Sequence, residues 1–202
     1  MAEGRYIALE GAEGSGKSTH AARLAAELDA VLTREHGGTA IGERIRAILA
    51  DPASSALTDK AEALLIAADR AQHLAEVVTP ALAAGRHVVS DRSIHSSLAY
   101  QGYGRGLALE RIREINAWAI DDRWPDLVLY LEVPERYLAS RMRRRELDRF
   151  ERAGQEFHAR VRAGFREMAA ADPERWVVID GEGKVDVVAG RLRDAVRERL
   201  GI

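Results

Sequence analysis

The stretch Gly11-Ala12-Glu13-Gly14-Ser15-Gly16-Lys17-Ser18 decides the fold. It matches G-x-x-x-x-G-K-[ST] and lies between an apolar run at 5–9 and a helical pattern that begins at Thr19. Glycines let the backbone turn so that consecutive N–H groups point at phosphate oxygens, and the helix N-terminus adds positive potential. Lys17 would reach the β- and γ-phosphates, and the Ser18 hydroxyl would bind Mg²⁺. The sequence therefore predicts a nucleoside triphosphate site built by residues 11–19.

Four more apolar runs have the length of buried strands, at 31–32, 87–90, 127–131 and 176–179. Nearly continuous apolar runs suit parallel strands that helices cover on both faces. Between the runs lie helical patterns, with apolar seams at positions 64, 68, 71, 75, 78 and 82 and at 185, 188, 192, 196 and 200. We therefore predict an α/β fold with a five-stranded parallel sheet flanked by helices. Residues 1–202 would form one domain, with ligands at the carboxyl ends of the strands.

Composition narrows the class of protein. The 202 residues are 47% hydrophobic and 31% charged, with a formal net charge of −2, so no basic excess suggests nucleic-acid binding. The absence of cysteine excludes a disulfide scaffold, a thiolate nucleophile and Cys-ligated metal sites. No apolar run approaches the ~20 residues of a membrane span, and the first ten residues lack a signal-peptide pattern. We expect a cytoplasmic protein with neither membrane nor nucleic-acid partners.

Arginines at the ends of predicted strands indicate a second, phosphate-bearing substrate. Thr33-Arg34-Glu35-His36-Gly37-Gly38-Thr39 follows one strand, and Asp91-Arg92 follows another. The guanidinium fork holds a phosphate through two parallel hydrogen bonds. The Asn-Lys-x-Asp guanine reader of GTPases does not occur. The chain is also short for a motor ATPase, so we favour a kinase that phosphorylates a small molecule.

Five motifs in order resemble those of bacterial thymidylate kinases, which are nucleoside monophosphate kinases with a P-loop kinase fold. Besides the phosphate loop and Thr-Arg-Glu-x-Gly-Gly-Thr, the chain has Ala-Asp-Arg-Ala-Gln-His at 68–73. Asp-Arg with Ala-Tyr-Gln-Gly (91–92 and 99–102) and Asp-Arg-Phe-Glu (148–151) complete the set. The resemblance runs from residue 6 to the last predicted strand. It implies transfer of a phosphoryl group from ATP to dTMP with Mg²⁺, by a homodimer.

Carried over residue by residue, the resemblance implies roles for the phosphate-facing side chains. Arg34 and Arg92 would hold the dTMP phosphate, with Arg46 as a helper. Asp91 would join Ser18 in ordering Mg²⁺ and its waters. The implied catalytic set includes Lys17, Asp91 and Arg92.

The resemblance also implies contacts to the nucleoside. Arg70 would hydrogen-bond the thymine, with Ser97 and Gln101 near its other polar edge. Glu13 would accept from the sugar 3′-hydroxyl, and Tyr100 would crowd the 2′ position and favour deoxyribose. A surface ion pair for Arg70 and simple core packing for Tyr100 are the structural alternatives.

The chain departs from the family pattern where the base and the acceptor turn are expected. The family usually has proline at His36, tyrosine at Ser93 and aspartate at His95. It usually stacks thymine on a phenylalanine where this chain has Ile66, which should still face the cleft because it precedes Arg70 by one helical turn. All three phenylalanines come later, at 150, 157 and 165, outside the pocket motifs. Another pyrimidine monophosphate, such as dUMP or a modified pyrimidine, is therefore an alternative substrate.

Residues 141–152 carry six arginines and three acids, and we interpret residues 141–153 as an arginine-rich lid, the lid segment. Phosphoryl transfer depends on positioning and on clamping of the transferred charge. Members of the resembled family carry the catalytic arginine either in the phosphate loop or in the lid. The phosphate loop of this chain contains no arginine, so the resemblance implies that the lid segment supplies it. Arg145 and Arg149 are the catalytic candidates, with Phe150 as an anchor, and Arg141 is an ATP contact. A catalytically idle nucleotide-binding regulator remains the alternative from another class.

Overall fold

The apolar runs form strands of one parallel sheet in a computed structural model that describes residues 4–142 and 148–202. Within these residues the sheet has five strands, in the order β2-β3-β1-β4-β5. Their bounds are β1 Tyr6–Glu10, β2 Val31–Arg34, β3 Val88–Asp91, β4 Leu127–Glu132 and β5 Trp176–Asp180. The predicted α/β architecture is confirmed. The short run at 31–32 extends to Arg34 because it pairs along its length with β3.

Helices cover both faces of the sheet. Their bounds are α1 Lys17–Glu27, α2 Ala40–Ala50, α3 Asp59–His73, α4 Thr79–Ala83, α5 Ile94–Ser97, α6 Leu109–Ala119, α7 Glu135–Met142, α8 Gln155–Ala171 and α9 Val185–Leu200. Two stretches with π geometry, Leu74–Val78 and Leu98–Gly104, continue α3 and α5. On one face α1 and α9 bury their apolar sides against β1 and β4. On the other face, aromatic side chains from 100–165 pack beneath α3.

The apolar seam that begins on α3 is exposed over its first four positions. Leu64 is 55% exposed, and the alanines at 68, 71 and 75 are exposed as well, whereas Val78 and Leu82 are buried. The buried face instead carries Glu62, Ile66, Asp69, Arg70 and His73. An inward-facing polar surface on a central helix is what a ligand cleft requires, because buried polar groups need partners. Periodicity located the helix, and Ile66 faces the cleft as its spacing to Arg70 predicts.

The register of the sheet brings the predicted site together at one edge. Arg34 pairs with Asp91, and Asp91 pairs with Leu9 just before the phosphate loop. The loop leaves β1 at Gly11, whose φ of 151° and tight surroundings suit only glycine. A Cβ at this position would come within 2.8 Å of the Leu131 carbonyl oxygen. The carboxyl ends of β1, β2 and β3 therefore meet at one cleft.

Candidate active site

The phosphate loop wraps the start of α1 as the motif predicts. Gly16 precedes the helix with φ 97°, and Lys17 is its first residue. The Lys17 Nζ donates to the Ala12 carbonyl oxygen at 2.8 Å and to the Ser15 hydroxyl at 3.4 Å. Burial, followed by the nearby Arg92 guanidinium, lowers the pKa of Lys17 to about 8. The ammonium is thus held inside the loop, where anionic phosphates would favour its charged form.

Ser18 and Asp91 are in direct contact, as a shared role would require. The Ser18 hydroxyl donates to Asp91 Oδ2 at 2.5 Å. The other carboxylate oxygen, Asp91 Oδ1, is buried and has no hydrogen-bond partner within the described part of the chain. A buried carboxylate oxygen without a donor suits a cation, and Mg²⁺ prefers few protein oxygens plus substrate phosphates. The pair therefore fits the predicted magnesium site.

Arg92 follows β3 with φ 78°, a left-handed backbone conformation that is uncommon for residues other than glycine. Its guanidinium donates to Glu13 and to the Tyr100 hydroxyl, and its carbon lies 5.0 Å from the Tyr100 ring centroid. It also donates to the Gly11 carbonyl oxygen at 3.3 Å and to the Ser96 hydroxyl at 3.1 Å. The Glu13 charge outweighs burial and keeps the pKa of Arg92 above its usual value. A permanent positive charge thus stands beside the phosphate loop.

Arg34 and Arg46 stand at the opposite side of the cleft. Arg34 is half-exposed and forms an ion pair with Glu43, while its Nε donates to the Gly37 carbonyl oxygen at 3.2 Å. Arg46 donates to the His36 carbonyl oxygen at 3.1 Å. The exposed Arg34–Glu43 pair is weak. A dianionic phosphate would offer both guanidinium groups stronger, charge-assisted hydrogen bonds.

Arg70 is 2% exposed and its donors are nearly all engaged. Its Nε donates to Glu35 at 2.7 Å. Nη1 donates to Ser97 at 3.0 Å and to Asn116, and Nη2 to the Ser93 carbonyl oxygen at 3.1 Å. A guanidinium has five N–H groups, so at most one is left for the thymine. The surface-pair alternative is wrong, because the ion pair of Arg70 with Glu35 is buried. The hydrogen bond from Arg70 to the thymine stays a prediction, and its present partners leave it at most one N–H for that contact.

Glu35 anchors Arg70 through a wholly buried network. Its second carboxylate oxygen accepts from His73 Nδ1 at 3.0 Å, and the other ring nitrogen contacts the Thr33 hydroxyl at 2.7 Å. Burial alone would raise the pKa of Glu35, but Arg70 and His73 outweigh burial and lower it to about 2. This carboxylate therefore stays ionised and fixes the direction of Arg70.

Gln101 is oriented by a second buried carboxylate. Its Nε2 donates to Glu62 Oε1 at 2.7 Å. Because the NH₂ end is held, the amide oxygen is the end that can accept a hydrogen bond from a base in the cleft. Ser97 borders the same region and contacts Arg70. The predicted base readers are thus adjacent.

One cavity of about 840 Å³ joins these groups. Its lining includes nearly all predicted binding residues: Glu13, Gly14, Ser15, Gly16, Lys17, Ser18, Thr19, Arg34, Arg46, Ile66, Arg70, Asp91, Arg92, Ser97, Tyr100 and Gln101. Gly11 and Ala12, the first two residues of the phosphate loop, do not line the cavity. Their carbonyl oxygens accept hydrogen bonds from Arg92 and Lys17 respectively. The volume suits a nucleotide-sized ligand pair.

Sequence reasoning missed two parts of this cavity. Gly181, Gly183 and Val185 line it after β5, beside the phosphate loop. Their signal was available, because a glycine pair directly after the last parallel strand must lie at the same edge. Phe150 also lines the cavity, although it lies outside the motifs from which the pocket was predicted.

Comparison with known proteins decides the family. The thymidylate kinase family model matches residues 9–191. The thymidylate kinase of Desulforudis audaxviator is 45% identical over 98% of this chain and 92% of its own length. That of Synechococcus sp. (strain JA-3-3Ab) is 49% identical over 96% of both chains. The chain belongs to the thymidylate kinase family.

A solved thymidylate kinase confirms the fold. The crystal structure of the enzyme from Ehrlichia chaffeensis superposes with a TM-score of 0.80 at 30% identity and covers 96% of this chain and 99% of that one. This thymidylate kinase family member therefore has the predicted P-loop kinase fold, and the family consists of ATP-dependent nucleoside monophosphate kinases.

Two departures from the family pattern lie outside the cavity. Ser93 caps α5 and donates to Glu10 at 2.8 Å. His95 packs edge-on against Trp176 at 4.8 Å between ring centroids, and burial lowers its pKa to about 3. Neither side chain lines the cleft. In this thymidylate kinase family member, only His36 and Ile66 of the noted departures alter the cavity wall.

The three predicted lid arginines differ in how much of each the structure describes. Arg145 lies outside the described residues, and the same holds for the side chain of Arg141, whose backbone lies in the last turn of α7. Arg149 donates to Glu62 at 2.5 Å and to the Leu49 carbonyl oxygen at 2.9 Å, and it does not line the cavity. This placement does not bring Arg149 to the phosphates. It would have to leave a buried carboxylate to act there.

Proposed function

We propose that this chain transfers the γ-phosphoryl group of ATP to the phosphate of dTMP, giving ADP and dTDP. The observation that carries the proposal is a single cavity that joins a complete phosphate loop to a second set of cationic and base-reading groups. Membership of the thymidylate kinase family supports the same substrate pair.

The donor half of the proposed reaction uses the phosphate loop. Loop N–H groups and Lys17 would hold the β- and γ-phosphates of ATP, with Arg141 as a further ATP contact. Ser18 and Asp91 would hold Mg²⁺, which neutralises charge on the phosphates when bound. Gly181 and Gly183 line the same part of the cavity and would border the donor nucleoside.

The acceptor half uses arginines whose present partners are replaceable. Arg34 and Arg46 would turn from their surface contacts to the dTMP phosphate. Arg92 would bridge the acceptor phosphate and the transferred group, while Glu13 exchanges its ion pair for the sugar 3′-hydroxyl. Oriented charge of this kind stabilises a loose transition state without reorganisation at the moment of transfer.

The lid segment, proposed as residues 141–153 of a single 1–202 domain, would supply the remaining positive charge. Arg145 is the first candidate because Arg149 is held by Glu62. Closure would also exclude water and so limit wasteful hydrolysis of ATP.

The acceptor is tested by following ADP release with a panel of monophosphates: dTMP, dUMP, dCMP, dAMP and dGMP. We expect dTMP to give the highest kcat/KM and ATP alone to give almost none. A clear preference for dUMP would instead support the other pyrimidine specificity. No turnover with any acceptor, in a protein that still binds ATP, would support an idle regulator.

We also propose a homodimer that pairs the exposed seam of α3. Leu64, Ala68, Ala71 and Ala75 form a small-residue stripe that lets two helices approach closely. Leu64→Glu should convert a dimer to a monomer in light scattering, and a monomeric parent protein would refute the proposal. Among residues 4–142 and 148–202, no helix is both long and apolar enough to cross a bilayer. The cytoplasmic location stays a prediction.

A further inference from the structure

Ile66 leaves the acceptor pocket without the aromatic side chain that the family usually carries on the long helix. Ile66 is buried and lines the cavity next to Arg70 and Gln101. An aliphatic side chain gives contact area but lacks the π face on which a base stacks. A pyrimidine reader with this wall would bind its base less tightly unless another ring stands in the pocket.

Phe150 is such a ring. It is 6% exposed, lines the same cavity and belongs to the same packed cluster as Ile66 and Tyr100. Its ring is 6.3 Å from the Tyr100 ring, edge to face, and 5.8 Å from the His36 imidazole, nearly parallel. Burial, followed by Arg46 and Arg70, lowers the pKa of His36 to about 3, so the imidazole is neutral at physiological pH. Phe150 thus stands between the His36 and Tyr100 rings in the wall of the cavity that Ile66 also lines.

The backbone next to Phe150 is tied to the body of the protein. Arg149 donates to the Leu49 carbonyl oxygen at 2.9 Å, and its amide donates to the Ala50 carbonyl oxygen at 3.3 Å. The Arg149 guanidinium also lies 4.8 Å from the Phe150 ring centroid. These contacts fasten the end of the lid segment to the end of α2.

Glu62 completes this attachment and connects it to base recognition. It is fully buried and accepts from Arg149, Arg105 and Gln101, at 2.5, 3.0 and 2.7 Å respectively. A buried carboxylate with three donors is strongly oriented and costly to leave unpaired. The same side chain therefore sets the direction of Gln101 and the position of the residue beside Phe150.

We propose that Phe150 is the aromatic wall of the acceptor-base pocket in place of the ring missing at Ile66, and that the Glu62–Arg149 ion pair positions it. The inference rests on the proposed function, since it names a specificity residue of the same site. Base recognition then depends on a ring outside α3, at residue 150, whose position the Glu62–Arg149 ion pair sets. Phe150 contacts the base, and Glu62 acts as a positioning residue.

The test compares binding of dTMP with binding of 2-deoxyribose 5-phosphate, which lacks the base, by calorimetry. Phe150→Leu should weaken dTMP binding about fivefold or more, because an aromatic stack is worth ~1 kcal/mol, and should change deoxyribose phosphate binding less than twofold. Phe150→Tyr keeps the ring and should bind dTMP like the parent protein. Phe157→Leu is the matched control, because Phe157 is buried in the same cluster and 6.0 Å from the Tyr100 ring but does not line the cavity.

The outcomes distinguish a failure of the role proposed for Phe150 from a failure of the proposed function. Equal losses for both ligands in Phe150→Leu, or no loss for dTMP, would overturn the role of Phe150. Arg149→Ala removes the ion pair but leaves Glu62 bonded to Gln101, so it should reproduce the base-dependent loss. Equal losses for both ligands, or no loss for dTMP, would overturn the positioning role of the Glu62–Arg149 pair. Failure of the parent protein to bind or phosphorylate dTMP would overturn the proposed function itself.

Discussion

Replacing Glu35 by glutamine tests whether one buried carboxylate both stabilises the fold and fixes Arg70, the predicted base contact. Glu35 is buried between Arg70 and His73, and Glu35→Gln keeps its shape but removes its charge. The lowering of its pKa from 4.5 to about 2 corresponds to about 3 kcal/mol at neutral pH. This agrees with the 3–5 kcal/mol expected when a buried charge loses its partner, here Arg70. We therefore expect the melting temperature to fall by about 6–12 °C.

The assay is urea and thermal unfolding followed by tryptophan fluorescence, together with the KM for dTMP. The KM should rise severalfold because Arg70 is no longer held in one direction. The pKa of Glu35 is lowered on folding, so its stabilising effect is present above about pH 4.5 and is lost as pH falls towards 2. The matched control is Asp186→Asn, which breaks the exposed pair with Arg23 and should cost less than about 1 kcal/mol. A loss below 1 kcal/mol for Glu35→Gln would refute the reasoning.

Two further predictions concern catalysis. Lys17→Ala should abolish turnover and leave dTMP binding nearly intact, and a near-normal kcat in this variant would refute the role of Lys17. In the parent protein, ATP affinity should fall as pH rises above about 8, where the buried Lys17 ammonium loses its proton. An ATP affinity that does not change with pH would contradict the lowered pKa of Lys17. Arg145→Ala should lower kcat by ~10²-fold or more with little change in either KM, whereas Arg149→Ala should raise the KM for dTMP more than it lowers kcat. Steady-state kinetics on both variants decides this, and the reverse pattern would make Arg149 the arginine that clamps the transferred group.

The parts of the site that sequence could predict are those set by connectivity. A glycine-rich turn between a strand and a helix has few conformations, so Lys17 and Ser18 could be placed from spacing alone. Asp91 and Arg92 directly follow a strand that must be parallel to β1, so they had to reach the same edge. These positions needed no knowledge of distant packing.

Apolar periodicity alone does not give the orientation of α3, which was predicted only through the expectation that Ile66 and Arg70 face the cleft. The alanines at 68, 71 and 75 together with Leu64 have the spacing of a core seam, yet the polar side of the helix faces inward. That side is satisfied by partners far away in sequence, such as Glu35 for Arg70 and Gln101 for Glu62. Apolar periodicity does not detect such partners, because it reports the hydrophobicity of one segment only.

The sequence by itself determined the nucleotide-binding edge, the parallel sheet and the family, because each depends on residues that are close together in the chain or follow successive strands. Only the tertiary structure decided which hydrogen-bond, ion-pair and ring partners the side chains of the cleft have. Among the described residues it leaves one N–H group of Arg70 without a partner, pairs Arg149 with Glu62, and brings Phe150 into the same cavity wall as Ile66, 84 positions earlier in the chain. The physical reason is that hydrogen-bond saturation and ring packing are properties of groups that meet in space, and the order of residues does not specify which distant groups will meet.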